Sequence, residues 1–181
     1  THEMVRQHHC GHFPRTKVRA RTYLDSGHSF LEVKKKDNHG RTRKKRIEVP
    51  TIEAVINERY GEEFLTERTG YTFSDIIPTI ENAFHRITLV NEAKTERLTI
   101  DFGIRFINHE TGETGCADNL VVIELKRDGR MHSPILALLR QLRIKPSGFS
   151  KYCIGSAITN DGLKINRFKK RLHRYEKIKG K

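Results

Sequence analysis

A chain of 181 residues with 35% hydrophobic content is long enough to enclose one core without disulfides, with little apolar surface to spare. Thirty-five lysines and arginines stand against 22 acids, for a formal charge of +13 and a pI near 9.9. Such an imbalance excludes an inert scaffold and points to phosphates, nucleic acid or an anionic membrane face as partner.

Residues 1–16 show no periodicity and read as a loop. His8, His9, Cys10 and His12 are metal-ligand types, but the cluster is short and lacks a second half. The three cysteines, Cys10, Cys116 and Cys153, have no metal-ligand spacing and cannot all pair, so a reduced, cytoplasmic setting is expected. No apolar run is long enough to span a bilayer, and the polar, histidine-rich opening is unlike a signal peptide.

From Lys17 the chain alternates with a period of two, the signature of an extended strand. Lys17, Arg19 and Arg21 share one face, Val18, Ala20 and Thr22 the other. Asp25-Ser26-Gly27 is a hairpin connector. In the return segment Glu32, Lys34 and Lys36 oppose Leu31, Val33 and Lys35, and Glu32 reads as the ion-pair partner of Lys34 in preference to a second metal ligand. After the turn Asp37–Gly40, residues 41–49 form a third strand that is basic on both faces at its start. Pro50 ends it, and Thr51 caps a helix through about Tyr60 with Ile52, Val55 and Ile56 as its stripe.

Residues 62–82 are interrupted by Gly70 and Pro78, with a short helical piece expected near Ser74–Ile77. Segments 83–90 and 96–102 form a hairpin around Asn91–Lys94, Ile104–Ile107 continues the meander, Thr111–Gly115 turns, and Leu120–Lys126 is a further strand. Ser133 caps and Pro134 starts a helix through Arg143, with an apolar surface of Ile135, Leu136, Leu138, Leu139 and Leu142. In the tail, Ile165, Phe168, Leu172, Tyr175 and Ile178 recur at helical spacing among Lys and Arg. Residues 164–181 therefore read as a basic amphipathic helix, packed on the rest of the chain or attached to an anionic membrane surface or membrane partner.

The charged face of a half-buried sheet is ordinarily its solvated face. Repetition argues otherwise here. Arg86 and Thr88 oppose Ile87 and Leu89; Arg97, Thr99 and Asp101 oppose Leu98, Ile100 and Phe102; Glu124 and Lys126 oppose Ile123 and Leu125. Polar faces made mostly of Arg and Lys are costly unless a polyanion fills the space between them. The expected architecture is α+β: an antiparallel β tunnel barrel with a charged interior and helices packed outside. Arginine grips phosphate in bidentate fashion, and a carboxylate such as Glu124 among cations suits Mg²⁺ or Mn²⁺ shared with phosphate oxygens. The residues alone thus indicate a metal-assisted polyphosphate or nucleotide site.

The segments KVRARTY, FLEVKKK, FHRITLV, ERLTIDF, VVIELK and PSGFSKYCIG, in that order, resemble the VTC (vacuolar transporter chaperone) polyphosphate polymerase domain of the triphosphate tunnel, or CYTH-like, group. That resemblance implies a tunnel domain over 1–163, with 164–181 as a separate helix, and transfer of the ATP γ-phosphate to a growing polyphosphate chain with a divalent metal. It implies Arg19, Arg21, Lys34, Arg86 and Lys151 as catalytic cations and Glu124 as metal ligand. Lys17, Lys36, Arg97, Lys126 and Ser150 join those cations as phosphate contacts. Departures from the family pattern are Phe84 where the eukaryotic enzymes carry tyrosine, Gly148 where they carry lysine, and an expected first tunnel strand that has no counterpart before Thr1.

ATP, triphosphate and polyphosphate are the expected partners. Water as acceptor would make the chain a triphosphatase, and a non-catalytic module for polyphosphate or inositol phosphates is the alternative. Nucleic acid is disfavoured: single-strand recognition calls for exposed stacking aromatics, the chain has no Trp, and its Phe residues fall mainly on apolar strand faces.

Overall fold

The computed structural model describes residues 13–127, 129 and 133–160. The cluster His8, His9, Cys10 and His12 and the tail helix expected over 164–181 lie outside the described residues. The architecture is mixed α+β with two antiparallel sheets, divided between two compact units, Thr1–Pro78 and Thr79–Lys181.

In the first unit β1 (Arg15–Thr22), β2 (Ser29–Lys36) and β3 (Thr42–Val49) form an antiparallel meander with β2 in the middle. Register follows from the alternation: Arg19 lies opposite Glu32 and Glu32 opposite Arg46, while Val18 lies opposite Val33 and Leu31 opposite Ile47. A one-residue slip would exchange the two faces entirely. Leu31, Val49 and Val55 form the core, packed by Val18, Ala20, Ile47, Phe64 and Phe73. Cover comes from α1 (Ile52–Asn57), whose N-cap Thr51 accepts a bond from Ala54 N at 3.0 Å, and from α2 (Glu62–Thr69). The second helix falls early in the interrupted stretch 62–82, where the sequence reading expects only a short helical piece near Ser74–Ile77, and Ser74–Ile77 is not helical. Its only apolar residues are Phe64 and Leu65, so it has no stripe to detect; the fully buried Leu65 anchors it.

The second unit is built on β5 (Glu96–Asn108), which pairs with β4 (Ile80–Val90), β6 (Thr114–Ala117) and β7 (Val122–Arg127). What the alternation suggests as two strands is one, carrying a bulge. Ala83 pairs with Arg105 but His85 with Phe102, so β5 holds one extra residue there, and Gly103 adopts φ +59°, a region open mainly to glycine. The bulge shifts the phase of the strand. Asp101 and Thr99 before it lie on the same face as Ile104, Phe106 and Asn108 after it, because their partners Arg86, Thr88, Asn82 and Ile80 are all on one side of unbroken β4.

That face receives α4 (Lys151–Ile158), whose Cys153, Ile154 and Ala157 join Ile104, Phe106 and Ala117 in the second core. Neither α4 nor β6 is expected from the sequence pattern. Gly155 sits so close to Phe106 that a Cβ there would stand 2.5 Å from the ring. The opposite face carries two aliphatic rungs, Ile87–Ile100–Ile123 and Leu89–Leu98–Leu125.

Burial in this sheet is mixed on both faces: Asp101 is 2% and Thr99 6% exposed while Arg86, Arg97, Glu124 and Lys126 beside them are exposed, and Leu98 is buried while Ile87 is 48% and Leu89 52% exposed. Shelter on the polar face is confined to Asp101 and Thr99, and among the described residues no helix encloses Ile87 or Leu89, where the sequence leads one to expect helix cover. Ser133 caps α3 (Pro134–Gln141) through a 3.1 Å bond from Leu136 N, and none of that helix's residues is buried.

Candidate functional site: two buried carboxylates among cations

Each unit centres its polar face on one buried acid. In the first it is Glu32, 2% exposed in the middle of β2. Arg19 reaches Glu32 Oε2 with Nε at 2.7 Å and Nη2 at 2.6 Å; Lys44 Nζ lies 2.6 Å from Oε1, and Arg21 Nε 3.6 Å from it. Burial pushes the Glu32 carboxyl pKa up, but Lys44, Arg19 and Arg21 outweigh it and hold the group below its ordinary value. Lys34 is not its partner. A residue across the strand stands closer than one two positions along it, so Glu32 takes Arg19 and the diagonal Lys44. Lys34 instead faces Lys17 on one side and Lys44 on the other, a rung of three like charges.

Aromatic rings hold four cations of this face. Arg21 lies over Tyr23 at 4.1 Å and Arg46 over Phe30 at 4.4 Å, while Arg15 and Lys36 lie 5.1 and 5.2 Å from Phe13.

In the second unit the acid is Asp101. Arg86 grips it with both arms, Nε to Oδ1 at 2.6 Å and Nη2 to Oδ2 at 2.7 Å, and Lys151 donates to Oδ2 from the first turn of α4. A lysine there opposes the helix macrodipole, and Asp101 compensates it. Burial would raise the Asp101 pKa; Arg86 and Lys151 together overcome this and lower it, while Asp101 in turn raises that of Arg86. Phe84 provides a common platform, with Lys151 Nζ 4.2 Å and the Arg86 guanidinium 5.2 Å from its ring centre.

The expected metal residue, Glu124, sits opposite Thr99 on the same face, with Lys126 opposite Arg97 one rung along. Lys126 Nζ is 3.3 Å from Glu124 Oε1, and both side chains are about half exposed. Among the described residues no three His, Cys, Asp or Glu side chains gather to hold a metal. One half-exposed carboxylate is too little for an all-protein cage, but it fits a hard divalent ion that takes its remaining ligands from phosphate and water. The Ser150 hydroxyl caps α4, accepting from Cys153 N at 3.5 Å, which leaves its own proton to donate.

Of the residues expected from the sequence, Lys17, Arg19, Arg21, Lys34 and Lys36 share the polar face of the first sheet. Arg86, Arg97, Glu124 and Lys126 share that of the second, where Lys151 joins them from α4. Lys44 and Asp101 escape sequence reasoning as site members because their roles depend on cross-strand register. The signal for Asp101 was its place in the odd-numbered row with Arg97 and Thr99.

Fold and site together define an α+β chain with two basic antiparallel sheets whose cations are oriented by buried carboxylates. Its family is the VTC domain: the model of that family matches residues 1–160, and the chain belongs to it. No curated protein and no solved structure matches the chain.

Proposed function

We propose that the chain is a polyphosphate polymerase-like domain that binds ATP or polyphosphate on its basic faces and transfers the γ-phosphate to a polyphosphate chain with Mg²⁺ or Mn²⁺. The observation that carries this is the pairing of each buried acid with cations on a polar face of a VTC-domain chain. A buried carboxylate costs stability unless it is paired, and here the pairing orders arginine and lysine for an incoming anion.

In the proposed reaction a terminal oxygen of the acceptor polyphosphate attacks the γ-phosphorus, the bond from γ-phosphorus to the bridging oxygen breaks, and ADP leaves. No side chain acts as nucleophile. Arg19, Arg21, Lys34, Arg86 and Lys151 stabilise charge on the transferring group, and Lys17, Lys36, Arg97, Lys126 and Ser150 supply further phosphate contacts. Glu124 would hold the divalent ion, which when bound neutralises phosphate charge. The antiparallel tunnel barrel over 1–163 belongs to the same proposal, supported within the second sheet by the burial of Asp101 and Thr99.

Glu124→Ala is expected to abolish metal-dependent ATP turnover, followed by phosphorus NMR of the products, with an unchanged circular dichroism spectrum. Turnover equal to wild type refutes the assignment. Water as acceptor would give inorganic phosphate in place of polyphosphate in the same spectra.

A second reading, a non-catalytic module for polyphosphate or inositol phosphates, is favoured by the pairing of Glu124 with Lys126 and by the lack, among the described residues, of a group of acids that could hold a metal. Calorimetric binding of tripolyphosphate with no phosphate release in Mn²⁺ selects it. None of the described helices is long and apolar enough to cross a membrane. Attachment of 164–181 to an anionic membrane surface, which would place the chain at the cytoplasmic face, is tested by vesicle co-sedimentation with and without those residues. Equal partitioning discards it.

A further inference from the structure

We infer that long polyphosphate is bound on both faces of the first sheet, passing from the charged face over β3, the outer strand of that sheet among the described residues, to a second basic patch of Lys35, Arg43 and Lys45 on the opposite face. This rests on the proposed polyphosphate reading and adds to it a preference for chain length.

The patch follows from register. Lys35 lies directly opposite Arg43, and Lys45 opposite Val33, on the side of the sheet that elsewhere holds the hydrophobic core. All three are exposed, and none makes an ion pair or side-chain hydrogen bond among the described residues. Like charges directly opposite across strands destabilise a sheet. A merely solvated face relieves this by pairing signs, and among the described residues no acid pairs with these three cations. The neighbouring turn has Asp37, but its Oδ1 already accepts from His39 N at 3.0 Å and Arg41 N at 2.9 Å.

β3 is the outer strand of its sheet, and residues 42–46 are exposed throughout. Its cations alternate between faces at about 3.3 Å per residue, so Arg43, Lys44, Lys45 and Arg46 make a basic edge with no apolar break. On the charged face, Glu32 compensates Lys44 but leaves Lys34 unneutralised in its rung. A flexible anion longer than a triphosphate meets uncompensated charge on both sides of that edge.

The test is the triple variant Lys35→Gln/Arg43→Gln/Lys45→Gln of the full chain, titrated calorimetrically with tripolyphosphate and with long-chain polyphosphate. An equal charge removal elsewhere, Arg105→Gln/Arg140→Gln/Lys145→Gln, is the control, and circular dichroism establishes that each variant is folded. The expected result is a loss of about tenfold or more in affinity for long chains in the first variant, with a shallower salt dependence. Tripolyphosphate affinity and the control are expected to hold near wild type.

Long-chain affinity equal to wild type in the first variant overturns the inference, as does an equal loss in the control, which would indicate net charge alone. Loss of binding to phosphatidylserine vesicles without loss of polyphosphate affinity also overturns it, in favour of a lipid surface. Failure of the wild type to bind tripolyphosphate counts against the proposed function and leaves the long-chain comparison a valid test of this patch.

Discussion

Replacing Asp101 with asparagine separates two effects that act in opposite directions. The substitution keeps the shape of the side chain and removes its charge, leaving Arg86 and Lys151 without their shared counter-ion. Breaking a buried ion pair from one side costs about 3–5 kcal/mol. Here Arg86 is 33% and Lys151 17% exposed, so both recover some hydration, and a discount to about 2–3 kcal/mol is appropriate. For a chain of this length that corresponds to a melting temperature lower by about 4–12 °C.

Simple electrostatics says that removing a negative charge from a basic face should tighten binding of a polyanion. If Asp101 orients Arg86 and Lys151, affinity for tripolyphosphate should instead fall about tenfold, or about 1.4 kcal/mol. Thermal unfolding by circular dichroism and calorimetric titration of tripolyphosphate measure the two quantities. An unchanged melting temperature together with tighter binding would refute the argument that this carboxylate positions the cations.

Acid should destabilise the protein in a defined window. The folded-state pKa values of Glu32 and Asp101 are depressed, so each contributes stability that is complete above the unfolded value of about 4 and lost as pH falls through the folded one. An acid titration followed by circular dichroism should show this loss, smaller in Glu32→Gln/Asp101→Asn than in wild type; equal losses would remove the two acids as its source. Gly155→Ala would set its Cβ 2.5 Å from the Phe106 ring, and overpacking of this kind costs about 1–3 kcal/mol. Urea unfolding should register it, and Phe106→Leu in that background should restore part of the loss; a neutral Gly155→Ala would contradict the packing. Gly103→Ala should cost about 1–2 kcal/mol, because its φ of +59° disfavours a side chain, and an unchanged urea midpoint would show that the bulge tolerates one.

How far the sequence discloses this molecule depends on which interactions are periodic. The alternation in Lys17–Arg21 and Arg97–Asp101 places the polar faces correctly, because a strand with one sheltered face writes its register into the chain. α2 was illegible because Leu65 and Phe64 are adjacent and define no stripe, and α4 because YCIGSAI is apolar or small throughout and lacks helical periodicity. The unity of β5 was hidden by the extra residue near Gly103, which breaks the alternation exactly where one strand must be recognised. Glu32 shows the remaining limit: its neighbours along the chain suggested Lys34, while folding brings Arg19 and Lys44 from two other strands. Arg86 and Lys151, 65 positions apart in sequence, were associated through the family resemblance, and Asp101 is the physical link between them.

The irregularity beside Gly103 makes spacing within β5 a property separate from composition. Upstream, odd positions supply the polar wall; downstream, even positions supply the packing wall; both must look the same way for α4 to seat its body on one and its leading lysine on the other. Removing a single residue there would rotate one half against the other, turning either Asp101 or Phe106 outward with every remaining side chain unaltered. Insertions and deletions therefore belong in the 109–113 connection and not within this strand.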